Sequence, residues 1–215
     1  MSQVVLHNFF RSSTSIRVRT ALHLKGIAYA YRSVSLGRAE HHGEPYLRLN
    51  PEGLVPALEI DGRVLTQSMA IMEYLDECQP QPPLLPPDAA GRARVRALAY
   101  AVACDIHPLN NLRVLNELRA AFGADQAAIA AWFGKWVAAA FGPLEQRLAR
   151  EPETGRFCHG DTPTLADICL SAQVLNNTRF DVDMAPYPTI RAIHEQCMAL
   201  EAFQKSAPAA QPDAE

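Results

Sequence analysis

Four hydroxyl side chains stand in a row at Ser12-Ser13-Thr14-Ser15, with Arg11 immediately before them. Each hydroxyl donates one hydrogen bond, and an arginine keeps its positive charge at any physiological pH, so the group can hold an anion. Taken alone, the stretch reads first as a helix N-cap, because serine and threonine are the usual capping residues and one of the four must do that work.

The elements around the run decide what it can do. Val4-Val5-Leu6 is short, apolar and β-branched, as a buried strand is, and Val18, Ala21 and Leu22 recur at helical spacing downstream. The hydroxyls therefore sit on a strand-to-helix turn. There the first backbone N–H groups of the helix lack intrahelical partners and carry the positive end of its dipole, which suits an anion.

Lys25-Gly26 stops that helix and Tyr29–Val34 reads as a second strand, parallel to the first because a helix joins them. Residues 37–48 are polar and irregular, at best a short surface helix. In Asn50-Pro51-Glu52-Gly53-Leu54-Val55-Pro56, a turn leads to a proline that must lie at a strand start or edge, and base rates favour a trans peptide there. Glu59–Leu65 is a hairpin turned at Asp61-Gly62. Gln67-Ser68 then opens a helix whose apolar face is Ile71, Tyr74, Leu75 and Cys78.

Five prolines between Pro80 and Asp88 form a stiff linker. Beyond it the pattern is helical. Val95 to Ile106 keep one apolar face, a kink falls at His107-Pro108, and Leu112, Leu115 and Leu118 continue. Ile129 to Phe141 form a wide apolar face bent at Gly142-Pro143, with Trp132 and Trp136 in the core. Thr164 and Asp167 make a capping box for a nearly all-apolar central helix, which Arg179 and Phe180 follow. A last helix is expected over 188–203, and residues 206–215 should fray.

Composition narrows the function. Hydrophobic residues make up 48% and charged residues 20%, with a net charge of −3 and no basic tail or stripe, so neither nucleic acid nor a membrane is an expected partner. No apolar run approaches bilayer length, and the N-terminus shows no charged leader, which points to the cytoplasm. The five cysteines are widely spaced with no Cys-x-x-Cys, and read as small buried apolar residues rather than disulfides or a metal site.

The fold class is thus α/β plus all-α: a βαβ-ββα domain over residues 1–79, a linker over 80–88 and a helical bundle over 89–215. This order resembles the glutathione transferases, whose first half is thioredoxin-like. Asn50-Pro51 through Leu58 is similar to that family's turn before a cis-proline, Pro56, where the Val55 backbone pairs with the cysteinyl part of glutathione. Gln67-Ser68 matches the pair that holds the γ-glutamyl end. Arg11 through Arg19 resembles the Ser-Ser-Cys motif of the zeta class, with Thr14 where cysteine is common, and Ile106 through Leu115 resembles the zeta helix lining the active site.

The resemblance implies glutathione-dependent isomerisation of maleylacetoacetate to fumarylacetoacetate, a step in aromatic amino acid catabolism, by a cytoplasmic homodimer. Reversible thiolate addition to the cis double bond removes the barrier to rotation. Lowering a thiol from about 8.5 to about 6.5 takes about 2.7 kcal/mol. One charge-assisted hydrogen bond contributes about 1.5–3 kcal/mol and a helix N-terminus about 0.3–1 kcal/mol. Ser12 is the expected donor, with Ser13 and Thr14 next. Arg11, Arg113 and Arg179 are candidates to grip a dicarboxylate, although a solvated surface is the commoner fate of an arginine. His41, Asn111 and Asp105 are candidates for the glycyl end of glutathione or a partner subunit, and His107 is read as a kink residue. Maleylpyruvate, an α-halo acid, or a non-catalytic glutathione-binding role are the alternatives. Leu112 beside Arg113 favours maleylacetoacetate, since a second arginine would make a more basic channel.

Overall fold

The computed structural model describes residues 4–214. It divides into two compact units, one running to Leu84 and resuming at Met198, the other Leu85–Cys197. The first unit holds β1 (Val5–Asn8), α1 (Ser13–Leu24), β2 (Ala30–Ser33), α2 (Glu44–Leu49), β3 (Ala57–Ile60), β4 (Arg63–Thr66) and α3 (Ser68–Cys78). Its four-stranded sheet has the order β2-β1-β3-β4. β1 and β2 are parallel, as their helical crossover requires, while β3 runs antiparallel to both β1 and β4. Asp61 and Gly62 both take positive φ, the conformation a two-residue hairpin demands.

Apolar residues of every element close the first core: Leu6 and Leu58 from the sheet, Val18, Ala21 and Leu22 from α1, Ile71, Met72 and Leu75 from α3. On α3 the inward positions step from Ile71 and Met72 to Leu75, which leaves Cys78 exposed rather than on the buried face expected of it. Residues 37–48 are more ordered than expected, with a single 3₁₀ turn at Glu40–His42 and then α2.

The second unit contains α4 (Ala89–Tyr100), a π-helical turn over Ala101–Ile106, α5 (Leu112–Phe122), α6 (Gln126–Arg150), α7 (Leu165–Asn177) and α8 (Pro188–Met198). α7 is buried on nearly all sides. The capping box forms as expected, Thr164 accepting from the helix backbone while the Asp167 carboxylate accepts from the Thr164 N–H at 2.8 Å. The disturbance expected at His107-Pro108 begins earlier, in the π-helical turn, where the His107 N–H reaches back to the Val102 carbonyl.

α6 passes through Gly142-Pro143 as one helix. By length and composition it could cross a membrane, contrary to the reading that no run approaches that length. The apolar count comes from alanines: its buried residues, Ile129, Phe133, Val137, Phe141, Leu144 and Leu148, form one stripe facing the core. Trp132 and Trp136 are only half-buried, not core residues.

The end of the chain differs most from expectation. Instead of one helix over 188–203, α8 stops at Met198, the backbone is extended at Leu200, and α9 (Glu201–Ser206) follows. The tail is not frayed. It packs within the first unit, where Arg19 donates to the Ser206 carbonyl at 2.9 and 3.2 Å and Asp213 accepts from the Tyr31 and Ser33 hydroxyls.

Candidate active site

The hydroxyl run does cap a helix, and it does more. Ser12 is the N-cap of α1, its Oγ accepting from the Ser15 N–H at 3.3 Å. The same Oγ lies 2.8 Å from Thr14 Oγ1. Thr14 in turn donates to the Val55 carbonyl at 2.9 Å. A hydroxyl has one hydrogen, so Thr14 accepts in the first of these bonds and Ser12 donates. The result is a relay from Ser12 through Thr14 to Val55. Ser12 is half-buried, whereas Ser13 is buried, and Ser15 turns inward toward the Phe9 N–H.

Two devices fix this turn. Arg19 is fully buried, and its guanidinium donates to the carbonyls of Phe9 and Phe10, to Asn8 Oδ1 and to Ser206. Burial lowers its pKa to about 10, which still leaves it charged at neutral pH. Arg11 is exposed and lies over the Phe10 and Phe9 rings at 4.9 and 5.7 Å.

The Val55–Pro56 peptide is cis. Tyr46 and Asn50 both donate to the Leu54 carbonyl just before it, and Gly53 takes the positive φ the turn needs. At the head of α3, Gln67 also has positive φ, a strained state for a residue with a side chain. The Glu52 carboxylate holds it, accepting from Gln67 Nε2 at 2.9 Å and from the Thr66 hydroxyl at 3.3 Å. Ser68, buried in the first turn of α3, accepts at Oγ from Arg17 Nη1 at 3.3 Å. His41 is buried against His42 with ring centroids 3.9 Å apart. Burial first, and then the His42 charge, push its pKa down, so it serves as a neutral ring rather than a cation.

Four other candidates belong to the second unit. Asp105 is exposed on the π-helical turn. Asn111 caps α5, with its Nδ2 3.3 Å from His107 Nε2. Arg113 is exposed in the first turn of α5. Arg179 is exposed after α7, its Nη1 donating to Asn176 Oδ1 and its guanidinium 5.4 Å from the Phe180 ring, which stacks on Phe133. A cavity of about 520 Å³ lies between the π-helical turn and α6, lined by Cys104, Asp105, Trp136 and Arg147 among others.

The structure thus brings Ser12, Thr14 and Val55 together, and Gln67 with Ser68. Sequence reasoning missed Arg17, Arg19, Glu52 and Tyr46. The arginines carried a signal: they interrupt a helix whose neighbours Ile16, Val18, Ala21 and Leu22 are all inward, so neither could reach solvent on that face. Neutral, donor-rich, half-buried ground beside a helix N-terminus and a second helix head with a buried cation can take a peptide-like thiol with a free carboxylate.

Comparison with known proteins agrees with this chemistry. Residues 11–78 match the glutathione S-transferase N-terminal domain. The chain is 56% identical to the maleylpyruvate isomerase of a Ralstonia species, over 97% of this chain and 98% of that one. It is similar, with a TM-score of 0.97 and 55% identity over 98% of this chain and all of the other, to a holo structure of a bacterial maleylpyruvate isomerase of the zeta class of glutathione transferases. It is also similar, with a TM-score of 0.95 and 40% identity over 98% and 99% of the two chains, to the maleylacetoacetate isomerase of Methylobacterium extorquens AM1, crystallised with malonate and glutathione.

Proposed function

The chain belongs to the zeta-class glutathione transferases, and we propose that it isomerises maleylacetoacetate to fumarylacetoacetate with glutathione as a cofactor that is not consumed. The observation that carries this reading is the relay of Ser12 and Thr14 onto the Val55 carbonyl, which puts a turnable hydroxyl at the N-terminus of α1 beside the cis-proline loop. Glutathione, when bound, supplies the sulfur that adds reversibly to the cis double bond and so frees it to rotate.

The chain's own residues do the rest. Ser12 turns its hydrogen from Thr14 to the sulfur and, with the α1 dipole, holds it ionised. Ser13 and Thr14 support the turn. The Val55–Pro56 backbone takes the cysteinyl portion, and Gln67 and Ser68 take the γ-glutamyl end. His41, Asn111 and Asp105 serve the glycyl end or a partner subunit, with glutathione held by residues 1–79 and the substrate by 89–215. Arg11, Arg113 and Arg179 grip the two carboxylates of the substrate. The protein works as a cytoplasmic homodimer.

A second reading has one observation in its favour: the 56% identical Ralstonia relative is a maleylpyruvate isomerase. Mixing the protein with glutathione and either maleylacetoacetate or maleylpyruvate, and following the loss of cis-enol absorbance, tests both. A rate that requires glutathione supports the reading, and the larger kcat/KM assigns the substrate. Turnover of neither excludes it.

A further inference from the structure

A cleft of about 590 Å³ opens in the first unit at the far end of α1 from Ser12, roughly 18 Å away by the rise of a twelve-residue helix. No residue of it belongs to the candidate active site. One wall is the end of α1 and the chain into β2, His23 to Tyr31; the other is α9 and the segment after it, Lys205 to Pro212. Both walls are held in place. The Gln211 side-chain amide donates to the Lys205 and Ala207 carbonyls at 2.7 and 2.8 Å, and the Asp213 carboxylate accepts from the Tyr31 hydroxyl, tying the tail to β2. The lining is an apolar body with one charge. Ile27, Ala210 and Pro212 are apolar, and the His23 and Tyr29 rings meet edge to face with centroids 5.6 Å apart. Burial first, then the Lys205 and Arg19 charges, push the His23 pKa down, so at neutral pH Lys205 is the sole charged side chain among the described residues that line the cleft. Its partner is Glu201 at 2.8 Å, an exposed i,i+4 pair of the kind that contributes little and is readily exchanged. The Tyr29 hydroxyl, 3.4 Å from His23 Nε2, is at the long limit of a hydrogen bond and can turn to a better acceptor.

We infer that this cleft is a binding site for a small aromatic monocarboxylate, its ring against Ile27, Tyr29 and Pro212 and its carboxylate on Lys205 Nζ, with the Tyr29 hydroxyl donating. One negative charge is what one lysine can match, and a ring is what the flanking apolar and aromatic side chains can cover. Because the ligand touches α1, the chain into β2 and the tail at once, it binds only while the tail is docked, and so also secures the Ser206 carbonyl against Arg19. The site is separate from those of glutathione and the substrate, and does not depend on the isomerase reading.

The test is calorimetric titration of the full chain with benzoate, in saturating glutathione and succinate so that the proposed cofactor and substrate sites are filled. Expected are one benzoate per chain with a dissociation constant of about 1 mM or lower, no binding of the neutral analogue benzamide, and a urea midpoint that rises in benzoate. Lys205→Met should weaken benzoate about tenfold, the loss of one exposed charge-assisted contact. Ala210→Trp, at an exposed position where the new ring fills the cleft, should abolish benzoate binding while leaving the circular dichroism spectrum and the urea midpoint without benzoate unchanged. Benzoate that binds only when succinate is left out sits in the substrate site and overturns the inference. Equal affinity for benzamide, benzoate binding that survives Ala210→Trp, or no benzoate binding at all overturns it as well.

Discussion

Thr14 and Val55, forty-one residues apart, are joined by a 2.9 Å hydrogen bond in which the threonine hydroxyl donates to the carbonyl next to the cis-proline. That bond ties the N-terminus of α1 to the loop before β3, and it consumes the only hydrogen Thr14 has. Thr14 therefore cannot also donate to a sulfur while the bond stands, and Ser12 can, by turning away from Thr14.

Ser12 and Thr14 should accordingly differ under mutation. Ser12→Ala is expected to lower kcat/KM about 30-fold, the value of one hydrogen bond to a charged group. Thr14→Val removes the competitor for the Ser12 hydrogen, so it should keep most of its activity and instead lose about 1 kcal/mol of stability. Steady-state kinetics and urea denaturation of the two variants separate the roles. A Thr14→Val enzyme as slow as Ser12→Ala would transfer the donor role to Thr14.

Arg19 predicts a purely structural loss. Arg19→Met leaves the Phe9, Phe10 and Ser206 carbonyls without the donor that now joins them. A cost of about 3 kcal/mol or more is expected, read as a lower urea midpoint. Deleting the chain from Glu201 onward removes Ser206 and α9 together and should destabilise the first unit as well.

Acid should destabilise the protein in a window set by histidines. His23, His41 and His194 all have pKa values pushed down, burial being the first cause in each. Above the unfolded value of about 6.5 both states are neutral and nothing is at stake. As pH falls below it the unfolded chain takes up protons that the folded one resists, so stability drops until the folded values are passed. The urea midpoint should fall between about pH 7.5 and about pH 5.5, and His194→Gln should flatten that slope. A midpoint that is constant or rises on acidification would contradict these shifts.

The thiols should divide by burial. Cys158 and Cys197 are buried, and desolvation first, with Asp167 adding, raises both pKa values; Cys169 is buried too. Cys78 and Cys104 are exposed. Ellman's reagent should react quickly with at most two thiols in the native protein and with all five in denaturant. A Cys78→Ser, Cys104→Ser protein should show no fast phase and keep its turnover.

What could be read in advance was what the chain fixes locally. The strand-to-helix turn at Ser12, the Asp61-Gly62 hairpin and the Thr164–Asp167 cap each depend on residues within four positions of one another, and each formed as read. What could not be read depends on partners far away in sequence. The partner that holds Arg17 is Ser68, fifty-one residues on, and the tail, expected to fray, is ordered because Arg19 holds the Ser206 carbonyl and Tyr31 holds Asp213. The break between α8 and α9 has no proline or glycine to announce it. The cis state of Pro56 lay between the two cases: base rates for the dipeptide favoured trans, and only the likeness of the surrounding motif favoured cis.

The central claim is that the turn at Ser12 keeps a bound thiol ionised at neutral pH. Titration of the enzyme–glutathione complex, followed by thiolate ultraviolet absorbance, tests it most directly. The intact protein should show a midpoint near about 6.5, and Ser12→Ala should move it back toward about 8.5, the value of a free thiol. A midpoint near the free value in the intact protein, or one that Ser12→Ala leaves in place, would contradict the claim.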